Sequence, residues 1–504
     1  MENLTEPAKE LITAVEKNYQ EKLSWENEPK IHSGETISFF AFLYERLRNF
    51  VDYQEEHLLR RRAITRALNR RLLFSQSAEE IAHGLILEMI RARYLPNNTI
   101  PQRKNTEVAQ IIDRYSNLFK NLPEMKELFI SYAAREIEQL LTLENELALL
   151  LFAQKVFKEH LLVKDNALLF ISLEEALSRA DEETVRYHLT KLNLDRWDNY
   201  NQINQLNAEI TNKFASPDKE PMTRHIRREI APFVILRDLI SQHQSDFSII
   251  LQDKDLFEKS VRETANIRYR KAAINLRTAA IQSFIYIFLT KMVFALLVEI
   301  PYDIHFIGKI NPFPLVVNLV FPPFFMLVTT QTVSIPGFNN TQRIVHELNK
   351  DIYIQPGINI PHVAIDFLGR VRPFLDMTFS ILYFLTFFIV FGGVIYLLNK
   401  LQFNIASIAV FFFFVSTVAF FAFRIRRNFG DLTISEEKEG LLNSLFNFVS
   451  YPFIRLGVVF SKALSRFNIF ILILDLIIEA PLKIFLELID EWFAFIRQKQ
   501  EEIL

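Results

Sequence analysis

The chain has 504 residues, half of them apolar, with a formal net charge of −2 and no cysteine, which excludes disulfides, thiolate metal sites and cysteine nucleophiles. It holds only 11 glycines, far below the usual ~7%, so left-handed turns are scarce and an all-α fold of long helices joined by Asn, Pro, Asp and Ser is expected. Charge is segregated: residues 1–260 hold 35 basic and 41 acidic side chains, residues 261–430 hold 15 and 7, and residues 431–504 hold 7 and 11, so the basic excess belongs to the apolar part, as where basic residues flank membrane spans.

The N-terminal stretch MENLTEPAKELITAVEKNYQEKL is charged throughout and lacks the apolar core of a secretory signal. A long helical segment is expected from Thr36 to Phe74. Within it Arg62, Arg66 and Arg70 recur every four residues and share a helix face, which Arg60, Arg61 and Arg71 widen. This basic face is a candidate contact for anionic lipid headgroups or a protein partner, although Glu55 and Glu56 offer local pairing. Nucleic acid is not expected there, because no aromatic side chains interleave the arginines and the surrounding domain is acidic.

Ser77 to Glu80 and Ser172 to Glu175 read as capping boxes that open two further helices. Between them, one helix is expected from Pro123 to Phe157, with Ile130, Ala133, Ile137, Leu140, Leu147 and Leu151 at heptad-like spacing. SPDKEP at 216–221 reads as a loop, and residues 222–245 as another helix. A last helix from about Leu256 is expected to run directly into the first apolar segment. Residues 1–260 are therefore read as a large N-terminal cytosolic helical domain.

Four segments approach the ~20 residues that a bilayer core requires: 279–298, 313–333, 374–398 and 405–423. If all four cross and the N-terminus is cytosolic, 12 basic flanking residues, Arg262 to Arg277, Arg343 to Arg372 and Arg424 to Arg427, lie inside, against Lys309 and Lys400 outside. A re-entrant second segment would instead put six inside and eight outside, against the bias that sets orientation. Residues 261–430 are thus expected to form a four-helix membrane domain.

That domain contains the polar candidates Lys291, Glu299, Asn318, Pro322 and Pro323. Pro322 and Pro323 lack backbone donors and crowd the carbonyls of Asn318 and Leu319, which then need other partners. The favoured reading is a packed kink; the alternative is a discontinuous helix lining a polar site. Lys291 is expected to snorkel toward the outer interface, the alternative being a buried pairing with Glu299, Asp303 or Asp376.

Between the second and third segments, Ile344, Leu348 and Ile352 give a short helix one apolar face suited to docking on the membrane or the soluble domain. His346, His362 and Asp366 there have no spacing that fixes a coordination geometry. In the tail, residues 431–504, Arg455, Lys462 and Arg466 share one face, and Asp475, Glu479, Lys483, Glu487 and Glu491 stand four apart. Two amphipathic helices at the membrane interface are expected, with a fifth and sixth span as the alternative.

Neither a dinucleotide fingerprint nor a P-loop occurs, and Lys350 stands where a zinc-protease helix needs its second histidine. No catalytic, cofactor or metal residue is assigned. The reading is a non-enzymatic integral membrane protein of the plasma (inner) membrane, both termini cytosolic, whose helical domain presents a binding or scaffolding surface to a protein partner. A transport or channel component using the proline-bearing second helix is the alternative, and a membrane-embedded hydrolase comes third.

Overall fold

The computed structural model describes residues 3–34, 42, 45, 56–73, 77–161, 165–194, 196–331, 336–354, 373–430, 432–434 and 441–466. Among them every regular element is helical, and the β pairing is limited to two isolated bridges, Leu4 with Tyr353 and Lys30 with Pro101. The N-terminal domain is built from α1 (Glu6–Ser24), α2 (Glu56–Arg71), α3 (Ala78–Arg91), α4 (Lys104–Asn121), α5 (Lys126–Thr142), α6 (Glu146–His160), α7 (Asn166–Leu177) and α8 (Glu182–Asn193). It continues through α9 (Tyr200–Phe214), α10 (Lys219–Glu229), α11 (Ala231–Gln242) and α12 (Phe247–Gln252). The expected helix start at Thr36 lies outside the described residues, and α2 is described from Glu56.

Local signals set most boundaries. The Ser77 capping box is present in both directions: Ser77 Oγ accepts from Glu80 N at 3.2 Å, and the Glu80 carboxylate accepts from Ser77 N at 3.0 Å. The second expected box is not used. Ser172 is buried inside α7, and Asp165 caps that helix by accepting from Leu168 N at 3.0 Å. The single helix expected from Pro123 to Phe157 is two, because Leu143 turns left-handed at φ 49° and ends α5. That reversal brings Glu144 and Glu146 back against Arg60 and Arg135, a tertiary pairing that heptad spacing does not register. The helix expected over 222–245 likewise divides at Ile230, just before Pro232.

Two apolar cores result. One gathers Ile64, Leu85, Ile112, Phe129 and Tyr187 from α2 to α5 and α8; the other gathers Val15, Leu150, Phe170, Ile226, Leu236 and Phe257. Helix α8 serves both, with Val185 and Leu189 turned to one core and Tyr187 to the other.

Helix α13 (Lys254–Phe294) links this domain to the apolar part of the chain. It is capped by Asp253, whose side chain accepts from Asp255 N and Leu256 N. Phe257, Val261, Ala265 and Tyr269, four apart, are buried in the second core, and the same stripe continues with Leu276, Ala280, Ile287 and Ala295. Two π-helical turns, Ala295–Glu299 and Asp303–Ile307, flank Ile300–Tyr302 and carry the helix on. The whole rod, Lys254–Phe306, has 53 residues, or ~80 Å at 1.5 Å per residue.

After the turn at Gly308, which takes φ 76° where glycine is favoured, come α14 (Pro312–Gln331), α15 (Phe338–Ile352), α16 (Pro373–Lys400), α17 (Ile405–Gly430) and α18 (Leu441–Arg466). The distal part of α13, α14, α16 and α17 are each long and apolar enough to cross a membrane. Their outward faces are apolar, with Phe384, Phe388 and Ile389 of α16 exposed. An exposed apolar surface this extensive suits lipid rather than water.

Helix α15 leaves this bundle. Ile344, Val345, Leu348 and Ile352 are buried in the second core of the N-terminal domain, beside α11 and α13. Its end is tied to the chain's beginning: Thr5 N donates to Ile352 O and Ile354 N to Asn3 O, each at 2.9 Å. Leu432 joins the same core, and Asn340 binds both the Leu432 carbonyl (2.8 Å) and the Ile434 amide (2.9 Å). Helix α18 packs lengthwise on α17: Gly457 sits against Ser416 and Phe420, while Phe453 meets Phe391 and Phe412. The expected helix beyond Arg466 lies outside the described residues.

Candidate functional site

The apolar bundle closes over a connected set of polar side chains. Lys291 lies on the buried four-residue stripe of α13, between Ile287 and Ala295, so its ammonium points inward. It pairs with Glu299 Oε1, and the cation also lies 4.5 Å from the centre of the Phe414 ring. Asn318 of α14 donates through Nδ2 to Glu299 Oε2 at 3.2 Å and to the Ser407 carbonyl at 3.1 Å. The Ser407 amide donates to Asn404 Oδ1 at 2.8 Å, which caps α17, and Asn404 Nδ2 donates to Asp303 Oδ1 at 2.8 Å. A polar chain therefore runs from Lys291 to Asp303 and Asn404, at the end of the bundle where Gly308 and Gln402 turn the chain.

Lys291 and Asn318 are fully buried, and Glu299, Asp303 and Ser407 are at most 5% exposed. The expectation that Lys291 snorkels outward is corrected: the stripe that buries Ala280, Ile287 and Ala295 carries it into the bundle, where Glu299 offsets the cost of dehydrating the ammonium. Of the possible partners named from sequence, Glu299 takes this role, Asp303 binds Asn404, and the side chain of Asp376 lies outside the described residues.

The diproline stands apart from this set. Helix α14 runs without interruption from Pro312 to Gln331, and Pro322 and Pro323 are both buried within it. The discontinuous helix that the alternative reading requires does not form, because packing against α13 and α17 holds the segment helical. Phe321, beside the prolines, packs on Phe411 with ring centres 5.2 Å apart.

The arginines of α2 are turned into the N-terminal domain. Arg60 Nε lies 2.8 Å from Glu138 and Arg60 Nη2 2.5 Å from Glu144. Arg61 pairs with Asp181 and, at 2.8 Å, with Glu183. Arg66 reaches Glu45 at 2.9 Å, Arg70 reaches Glu88 at 2.6 Å and Arg71 shares Glu88 at 3.3 Å. Arg62 is half-buried on the same helix and engaged in further interactions. These close pairs come from distant parts of the chain, and Glu55 lies outside the described residues.

Where the two cores meet, Arg135 lies between Glu138 (2.7 Å) and Glu146, and His188 Nδ1 lies 2.5 Å from Glu174. Burial disfavours the Arg135 charge, but Glu146 and Glu138 outweigh this and hold the guanidinium protonated beyond its usual range. Burial likewise pushes Glu146 up, yet Arg135 and His57 hold it well below the usual carboxylate range. This network is absent from a sequence reading, since its members are scattered over five helices. Asn404 and Ser407 went unassigned for a different reason: an Asn three residues before a Ser at a helix start reads only as a cap.

No protein-family model, curated protein or solved structure matches this chain.

Proposed function

We propose that this chain is a non-enzymatic integral membrane protein whose N-terminal helical domain is held at the cytosolic face of the plasma (inner) membrane and presents a binding or scaffolding surface to a protein partner. The observation that carries the reading is the docking of α15. The connection between the second and third apolar helices is part of the N-terminal domain's core, and Leu432, just after the fourth, joins it. Packing of both connections on the N-terminal domain supports a reading in which they share its side of the membrane, with four crossings and the 12-to-two division of basic residues. With α13 running from that core into the bundle, the domain is fixed in orientation rather than tethered by a flexible linker. A fixed, outward-facing helical surface is what scaffolding requires.

Because the chain has no cysteine, single cysteines report sidedness. Exposed Asn27 and Asn339, changed to Cys, are expected to resist an impermeant thiol reagent added outside intact cells, while Lys309→Cys reacts. Labelling of Asn27→Cys from outside overturns the orientation. The transport reading is favoured by one observation, the buried Lys291, Glu299 and Asn318 set. Sodium, potassium or proton flux in proteoliposomes that is lost in Glu299→Gln establishes transport, whereas flux equal to empty liposomes leaves the scaffold reading standing.

A further inference from the structure

One acceptor in the polar chain of the bundle is left unpaired. Asn318 is fully buried and its Nδ2 is committed to two acceptors, the Glu299 carboxylate and the Ser407 carbonyl, which fixes the amide's orientation. Its Oδ1 is left without a hydrogen-bond partner. A buried amide oxygen without a hydrogen-bond partner is unfavourable, and the Nδ2 of the same amide touches a carboxylate and a peptide carbonyl.

Carboxylate, amide and carbonyl oxygens are the ligands that hard cations take. The one cation already present, the Lys291 ammonium, rests on Glu299 and the face of Phe414. From this geometry we propose that the Glu299 carboxylate and Asn318 Oδ1 form a binding site for a small monovalent cation, with the Lys291 ammonium as its tethered competitor.

A single positive charge is the match, because Glu299 is the one carboxylate of the set that Lys291 neutralises; Asp303 is engaged by Asn404. The groups facing Glu299 are Lys291 on the same rod and, from α14 and α17, the uncharged Asn318 amide and, through it, the Ser407 carbonyl. Exchange of the ammonium for a free cation would release Lys291 from the stripe that packs α13 on α14 and α17. The route for exchange is the polar chain through Asn404 and Asp303 to the turn end of the bundle. Sodium and the hydrated proton share this chemistry, and the test separates them.

The full-length protein in nanodiscs is compared in sodium chloride and choline chloride at equal ionic strength, reading thermal midpoint and retention of radioactive sodium. Wild-type protein is expected to retain sodium displaceable by unlabelled sodium. Lys291→Met, freed of the competitor, is expected to bind at least ten-fold more tightly, with a saturable rise in midpoint in sodium and not in choline. Glu299→Gln is expected to retain none. A midpoint indifferent to sodium that moves with pH in wild type, and not in Glu299→Gln, assigns the proton as occupant. Equal behaviour in both salts, with no sodium retained by wild type and no pH dependence that Glu299→Gln abolishes, overturns the proposal, as does retention that survives Glu299→Gln. The wild-type and Glu299→Gln measurements decide the matter even if Lys291→Met does not fold. Since binding is read on isolated protein, failure here leaves the scaffold reading and its sidedness test untouched.

Discussion

Asp351 sits near the end of α15, 8% exposed, where the helix enters the N-terminal domain's core. Burial, with Glu347 nearby, pushes its carboxyl from 3.8 up to about 8, and the His160 imidazole stands 3.4 Å away. A carboxyl raised in the folded state binds its proton more tightly there than when α15 is released. Its stabilising contribution is thus fully present below pH 4 and is lost as pH rises through the window to 8. Four units at 1.36 kcal/mol each set the loss on the order of 5 kcal/mol by pH 8, and pairing with a protonated His160 would reduce it.

The perturbation is Asp351→Asn, which keeps the shape and removes the titration. Docking is read with Val345→Cys, buried in the same interface, by thiol labelling of the otherwise cysteine-free protein. Dividing the rate measured with Asp351 intact by the rate measured in the Asp351→Asn variant at each pH cancels the thiol's own ionisation. The ratio is expected to climb between pH 5 and 8, at most about ten-fold per unit. A ratio that is flat, or that falls, refutes the argument that burial of this carboxyl opposes docking.

Three further outcomes follow from packing and charge. Arg135→Met leaves Glu138 and Glu146 without their shared guanidinium, and urea unfolding of the N-terminal domain, followed by Trp25 and Trp197 fluorescence, should show a loss of ~3–5 kcal/mol. A Cβ at Gly457 would lie 2.7 Å from the Phe420 Cβ and closer still to the Ser416 carbonyl, so Gly457→Leu should part α18 from α17 and lower the thermal midpoint, while Val459→Leu, on the exposed face, should not. Because α14 is unbroken at its prolines, changing Pro322 and Pro323 together to Ala adds two backbone donors and should preserve folded yield and sodium retention; loss of retention would tie the diproline to the polar set.

The sequence alone determined what depends on neighbours along the chain. Scarce glycine and absent alternation make the fold helical, four apolar runs of about 20 residues mark the helices fit for a membrane, and Ser77 with Glu80 fixes one helix start, all because capping, periodicity and length are local properties. That Lys291, Glu299 and Asp303 share a face was also legible, since 287, 291, 295, 299 and 303 are spaced by four, but that this face turns inward was not, and Lys291 was expected to snorkel outward. Tertiary structure decided what those groups meet. Whether Arg60 and Arg61 face solvent or Glu138, Glu144, Asp181 and Glu183 depends on helices some 80 to 120 residues away. The end of α5 at Leu143, the cap at Asp165 in place of Ser172, and the docking of α15 likewise follow from which partner buries which face. Asn404 acquires Asp303, and Ser407 acquires Asn318, because α13, α14 and α17 meet at that end of the bundle, and only the folded chain brings them together.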